Sequence, residues 1–396
     1  LTIFSTDSVY HCWKVALLYA YLGPPKPEWS PLSSIKLLWP LAYLDSPIYN
    51  SYIEKRGGKM AVTIIDIARE AQCSTATVSL ALKNSEKIRL ETRERVQEIA
   101  DRMGYHPNYA ARSLIRGQTG SIGVVIPNLE NPLFIELLQG VEEYITEQGF
   151  CIVLGVSALS AEREKRYLSM LSERQVDGLI LFPTFLNETF PEAIEREDDH
   201  KVPLVLCGSS GLISSNVNYV MTDNRMGAYI GTEHLIQLGC KHIAFIGAIV
   251  DMAQAQTRLN GYRDALEFYG LDNDPALEVY CSPETDTVFQ KTVELLRSQT
   301  VDAIFCLYDY MAFSVIRAVE SLGLRIPEDV AIVGYDNVSL SARLSKSLTS
   351  IDTHSYKVGR TAAEILLKKI EKPETPNRQI VFKPELVVRE TTAGKK

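Results

Sequence analysis

Apolar positions recur at helical spacing in three short runs between Thr63 and Met103. In the first, Ile64, Ile67, Ala68 and Ala71 share one face, and Thr63 stands three residues before Asp66, the spacing of a capping box. The run stops at Gln72-Cys73. Ser74 is placed to cap a second helix in which Val78, Ala81 and Leu82 face inward while Thr75, Ala76, Ser79 and Lys83 face out. A third helix, about Glu91 to Met103, buries Val96, Ile99, Ala100 and Met103 and ends at Gly104, which can take the left-handed conformation that closes a helix. Two helices joined by a tight turn, the second carrying small hydrogen-bonding and methyl groups outward, form a helix-turn-helix suited to the major groove of DNA. Pro107 then breaks the chain, Asn108 can cap, and Tyr109 to Ile115 reads as a helix stopped by Gly117, too short to be stable alone.

From Ser121 the pattern changes to continuous apolar runs alternating with amphipathic stretches. Strands are predicted at 122–126, 151–156, 178–182, 204–207 and 219–221, and again at 243–246, 278–280, 303–307 and 331–334. Runs apolar on both faces and separated by helices belong to parallel sheets covered on each side. The series repeats: Val176-Asp177-Gly178-Leu179-Ile180 is echoed by Val301-Asp302-Ala303-Ile304-Phe305. The fold class is therefore α/β, with a helix-turn-helix headpiece and hinge helix ahead of a core of two doubly wound lobes. Ligands of such sheets bind at the carboxyl ends of the strands, so facing lobes make a cleft for one small molecule.

The stretches TIIDIAREAQCSTATVSLALKN and ETRERVQEIADRMGYHPNYAARSL resemble the headpiece and hinge of the lac-repressor family of bacterial transcription regulators, and the likeness extends over about residues 60–392. It implies a sequence-specific regulator, of repressor type, that binds a near-palindromic operator as a homodimer and answers to a sugar-like effector. It implies DNA contacts from Thr63, Ser74, Thr75, Ala76, Thr77, Ser79, Lys83 and Asn84, from Tyr105 and Asn108, and from the hinge residues Ala111 and Leu114, the last matching a leucine that wedges into the minor groove. Arg89 stands where the family usually caps its third helix with Ser, and Leu80 where it often carries a base-reading Arg. In the core the likeness points to periplasmic sugar-binding proteins, with three chain crossings between lobes. It places 119–222 with 354–376 in the first lobe, 223–353 with 377–392 in the second, and returns 379–388 to the second.

Four residues are candidates for the effector. Asn131 and Phe134 lie in NLENPLF after the first strand, where they also read as a loop and the start of a helix. Arg258, in TRLNGY, matches the family's effector-binding Arg and is a forked donor suited to hydroxyls or a carboxylate. Asp309, past the strand ending at Leu307, matches an effector-binding Asp and equally reads as a helix cap. Gly208, where an Asp is common, and Tyr308, in place of Asn, depart from the pattern, and no aromatic residue is evident near Pro283.

Composition sharpens this picture. Residues 60–119 hold 9 basic and 7 acidic groups, against 26 and 38 in 120–396, so a slightly positive headpiece precedes an acidic body that discourages indiscriminate binding to phosphate. The cysteines, 12, 73, 151, 207, 240, 281 and 306, show no CxxC and read as reduced thiols of a cytoplasmic protein. Motifs for nucleophilic, zinc-dependent or nucleotide-dependent catalysis are absent, so no enzyme, cofactor or metal is expected. Residues 1–59, with all three Trp and six Pro, read as upstream sequence translated ahead of Met60 or as a disordered arm, and the run 15–22 is far shorter than the ~20 residues that span a bilayer. After the last strand no leucine heptad follows, which favours a dimer over a tetramer. A solute-binding protein for transport is the rival reading, disfavoured by the headpiece.

Overall fold

The computed structural model describes residues 62–105, 118–173, 176–184, 203–208, 217–248, 253–283 and 285–395. The expectations for 1–59 and for the hinge helix, with Asn108, Ala111 and Leu114, lie outside these residues. The chain divides into two compact units, 1–108 and 109–396.

In the first unit α1 (Ile64–Glu70), α2 (Thr75–Ala81) and α3 (Leu90–Arg102) enclose a core of Ile67, Ala68, Ala71, Val78, Ala81, Val96, Ile99 and Ala100. Local chemistry sets their ends. The Thr63 hydroxyl accepts from the Asp66 amide at 3.4 Å while the Thr63 amide donates to the Asp66 carboxylate at 2.9 Å, a reciprocal box. Ser74 Oγ accepts from the Thr77 amide at 3.0 Å. Helix α3 has no such help, because Arg89 occupies the cap position and makes no side-chain cap bond.

The second unit is two sheets of one plan. Its elements run β1 (Ser121–Ile126), α4 (Pro132–Glu147), β2 (Cys151–Val156), α5 (Ala161–Ser172), β3 (Gly178–Leu181), β4 (Leu204–Cys207), β5 (Asn218–Thr222) and α6 (Asn224–Gln237). They continue with β6 (Ile243–Ala248), α7 (Ala253–Phe268), β7 (Glu278–Cys281), α8 (Thr285–Ser298), β8 (Ala303–Cys306), α9 (Asp309–Ser321) and β9 (Ala331–Asp336). Last come β10 (Thr349–Asp352), α10 (Ser355–Glu371), β11 (Gln379–Phe382) and β12 (Glu385–Val387). The first sheet has the order β11-β5-β4-β3-β1-β2, the second β12-β10-β9-β8-β6-β7, and β12 alone among the described strands runs antiparallel to its neighbour.

The internal repeat has a physical basis. Asp177 accepts the amides of Thr119 and Gly120 at 2.6 and 2.7 Å, and Asp302 accepts those of Lys241 and His242 at 2.8 and 3.0 Å. Each carboxylate thus ties down the backbone entering its lobe's first strand.

One boundary of the sequence reading is corrected. Residues 379–382 form β11, which pairs in parallel with β5 of the first sheet, and only from Glu385 does the chain rejoin the second. Both segments are short and partly exposed, so nothing in their pattern names the sheet they join. The chain crosses between lobes near Asp223, at Thr353-His354 and at Lys383-Pro384. Helix α10 packs back on α4 so closely that a Cβ on Gly140 would meet the Tyr356 carbonyl oxygen at 2.1 Å, and one on Gly359 the Leu137 carbonyl oxygen at 2.1 Å.

Candidate functional site

Between the lobes lies a cavity of about 350 Å³. Its walls are unlike. The first lobe contributes mainly apolar surface, with Leu133, Phe134, Leu137, Phe182, Met221 and Val358, relieved by Asn128 and Asn131 at the start of α4. Phe134 meets Phe182 edge to face, centroids 5.8 Å apart. Asn131 is buried and caps α4, its Oδ1 accepting the Leu133 amide at 3.0 Å, so the loop reading and the pocket reading of NLENPLF both hold.

The second lobe supplies the polar wall around Arg258. Its guanidinium is buried, donates to Asn224 Oδ1 at 2.9 Å, to the Leu307 carbonyl at 2.7 Å and to Asp336 Oδ1 at 3.1 Å, and lies 3.7 Å from the centre of the Tyr335 ring. Tyr308 closes the other side at 5.2 Å, and burial pushes its phenol up to about 12, so it stays protonated. Burial pushes the Asp336 carboxyl up to about 6, against the pull of Arg258 and of the Asn131 amide across the cleft. The second oxygen, Asp336 Oδ2, is buried without a partner in hydrogen-bonding geometry. A buried acceptor in that condition costs about 1–3 kcal/mol, which a ligand donor would recover.

Three of the four sequence candidates, Asn131, Phe134 and Arg258, line this cavity. Asp309 does not. It is the first residue of α9, and Tyr308, not Asp309, holds the cap position. The Asp309 carboxylate is fully buried, accepting from Val338 N at 3.0 Å and Ser341 Oγ at 2.6 Å on Oδ2, and from Ser350 Oγ at 2.6 Å on Oδ1. It is a tie within the second lobe. The aspartate that does reach the cavity is Asp336, at the carboxyl end of β9, which the sequence reading passed over together with Asn224, two residues beyond β5 at the start of α6. The rule that ligands bind at strand carboxyl ends would have found both. Tyr310 supplies a ring to the cavity lining, which also includes Pro283, and Gly208, at φ +75, lets the wall pass close to Gln254.

In the first unit, Thr75, Ala76 and Lys83 are exposed and Ser79 and Tyr105 half-buried. Several candidate DNA groups are already engaged. Thr63 Oγ1 donates to Asp66 at 2.7 Å, Thr77 Oγ1 shares a 2.8 Å bond with Ser74 Oγ, and Asn84, at φ +55, accepts Gln97 Nε2 at 2.7 Å. These residues set the shape of the turn and the helix starts. Thr75, Ala76 and Lys83 stand clear of those bonds on the outer face of α2 and the turn after it.

Comparison with known proteins agrees with both units. Residues 63–108 match the family described as bacterial regulatory proteins, lacI family, and residues 232–392 match the periplasmic binding protein-like domain. The chain is 33% identical over 337 residues to the HTH-type transcriptional repressor PurR of Aliivibrio fischeri, covering 84% of this chain and 99% of that protein. It is also 33% identical over 333 residues to the ribose operon repressor of Halalkalibacterium halodurans, covering 84% and 97%. Among solved structures, the complex of the transcriptional regulator CelR with cellobiose superposes with a TM-score of 0.63 at 30% identity, over 83% of this chain and 99% of that one. The lac repressor dimer bound to operator and the anti-inducer ONPF gives a TM-score of 0.72 at 26% identity, over 84% and 99%.

Proposed function

From the premise that this chain belongs to the lacI family of bacterial regulatory proteins, and is a DNA-binding transcription regulator of repressor type, we propose how its parts divide the work. The outer face of α2, with Thr75, Ala76, Ser79 and Lys83, reads base edges in the major groove, while Thr63, Ser74, Thr77, Asn84 and Tyr105 hold it in register against the phosphates. Asn108, Ala111 and Leu114 belong to a hinge that folds on the operator and enters the minor groove. One headpiece makes too small a contact for strong specificity, so two copies read a near-palindromic site as a homodimer in the cytoplasm.

The cleft is the effector site. The observation that carries this is the buried Arg258–Asp336 pair, whose carboxylate keeps one oxygen unmatched in a cavity of ligand size. Relatives and neighbours include a ribose operon repressor and a regulator in complex with cellobiose, which fits a sugar-like effector here as well. No described helix is long and apolar enough to cross a membrane. The test is selection of operator sequences from random DNA by the purified protein, followed by titration of metabolites against the selected site. Failure to enrich any sequence would overturn the headpiece assignment, and a selected site indifferent to every metabolite would overturn the effector assignment.

A further inference from the structure

We infer that the cleft takes an uncharged molecule with a hydrogen-bond donor beside an acceptor on one edge and an apolar face on the other, and that it turns away phosphorylated or carboxylate-bearing relatives of that molecule. This rests on reading the cleft as the effector site and goes on to say which chemical class it admits.

Among the described residues lining the cavity Arg258 is the single cation, and it is matched by Asp336 at 3.1 Å, with Glu130 adding a further carboxylate. Among these described residues an incoming phosphate would meet no free positive charge and at least one surplus negative one, in a setting where burial strengthens both.

A guanidinium grips phosphate or carboxylate best with two parallel N–H bonds. Arg258 has three of its five N–H groups committed to Asn224, the Leu307 carbonyl and Asp336, and its plane is fixed against Tyr335, so turning the fork to an anion would break the ion pair and leave Asp336 buried and unmatched. The start of α4, another place where an anion could settle, is closed off in kind: Pro132 has no N–H to offer and Asn131 Oδ1 already takes the Leu133 amide.

Asp336 Oδ2 calls for a donor, and a dianionic phosphate has only acceptors. The remaining guanidinium N–H groups call for an acceptor next to it. A vicinal pair of hydroxyls on an unphosphorylated sugar meets both, as does the amide edge of a nucleobase, and either can lay an apolar face on Phe134 and Phe182. The two sources share the chemistry, and the experiment separates them.

Small-molecule extract of bacterial cells is passed over an anion exchanger, and the flow-through and the retained fraction are each tested for their effect on the melting temperature of the full chain, before and after treatment with phosphatase. D-ribose, cellobiose and guanine are tested alongside ribose 5-phosphate, cellobiose 6′-phosphate and guanosine 5′-monophosphate as defined probes. The expected result is stabilisation by the flow-through, unchanged by phosphatase, with any probe that binds preferred at least about tenfold over its phosphorylated counterpart, a difference of about 1.4 kcal/mol. Stabilisation by ribose or cellobiose marks the sugar source, and stabilisation by guanine the nucleobase. Asp336→Asn should weaken the active probe while the lac-type operator complex still forms. Stabilisation confined to the retained fraction and abolished by phosphatase would overturn the inference while leaving the effector site in place. Silence from both fractions would instead overturn the effector reading itself.

Discussion

Two aspartates with similar sequence credentials have different work. Asp309 follows one strand and Asp336 ends another, and a carboxylate near a strand's carboxyl end suits a ligand in either case. The difference lies in what folds over them: Val338, Ser341 and Ser350, remote from Asp309 in sequence, converge on its oxygens, while Asp336 meets Arg258 and, across the cleft, the Asn131 amide. No pattern local to residue 309 encodes that convergence, whereas Arg258, Asn131 and Phe134 were legible from motifs of their own. Asp309→Ala should accordingly strip acceptors from three buried donors and cost about 3 kcal/mol or more of core stability, read as a lower midpoint in urea. Asp336→Asn should instead chiefly cost effector response. The two carboxyls also make a pH prediction. Burial, aided by repulsion from Asp336, raises Asp309 to about 7, and burial raises Asp336 to about 6, above their ordinary value of 3.8. A group with a raised folded pKa binds its proton more tightly when folded, so its stabilisation is complete below about pH 4 and is lost as pH rises through 6 to 7. His234, lowered by burial, acts with the opposite sign nearby. Subtracting the melting curves of Asp309→Asn from those of the parent between pH 5 and 8 cancels it, and the difference should slope downward with pH by at most about 1.4 kcal/mol per unit. A flat difference would show that Asp309 is ionised throughout.

At the scale of elements, the long apolar strands and the capped helices were legible because their signals are local. Thr63-Asp66 and Ser74 put α1 and α2 where the spacing predicts, and strands buried on both faces announce themselves. The elements that escaped, β10, β11 and β12, are three or four residues long and take their place from partners far along the chain. Helix α3 shows the reverse case, a helix formed without its cap. Arg89 contributes no side-chain bond there, so Arg89→Ser should stabilise the headpiece by about 1 kcal/mol, seen as a rise in the first melting transition of the full chain with the second unmoved. If Leu114 wedges between base pairs, Leu114→Ala should lower affinity for the operator and the bend in it much more than binding to random DNA, because unstacking a step costs a few kcal/mol that only the specific complex recovers. Equal losses on both DNAs would make Leu114 a residue of hinge folding.

The whole molecule carries its repeat to the edges of the sheets. The edge strand β2 of the first lobe leaves Cys151, Val153 and Leu154 exposed in a run that reads as buried by sequence, and its counterpart β7 leaves Tyr280 40% exposed. Sequence patterning treats every continuous apolar run as interior and cannot tell an interior within one chain from one completed by another. An open strand edge bearing Val and Leu invites association, and proteins that stay monomeric usually blunt it with charge or proline. Here β2 has neither. A two-fold partner laid on this flank would cover the apolar groups, and a dimer carries two headpieces for the two halves of a near-palindrome, which meets the need for a doubled DNA contact. The protein should therefore sediment as a dimer at micromolar concentration, and Leu154→Arg should shift it toward monomer, since a buried like-charged pair at a symmetric contact is costly. Because the substitution lies apart from the cleft lining, stabilisation by effector should persist in the monomer while operator affinity falls by the loss of simultaneous engagement, 10² or more on the order of avidity effects. A Leu154→Arg protein that remains dimeric would move the interface to another face, and one that is monomeric yet binds operator undiminished would sever the link between dimer and operator.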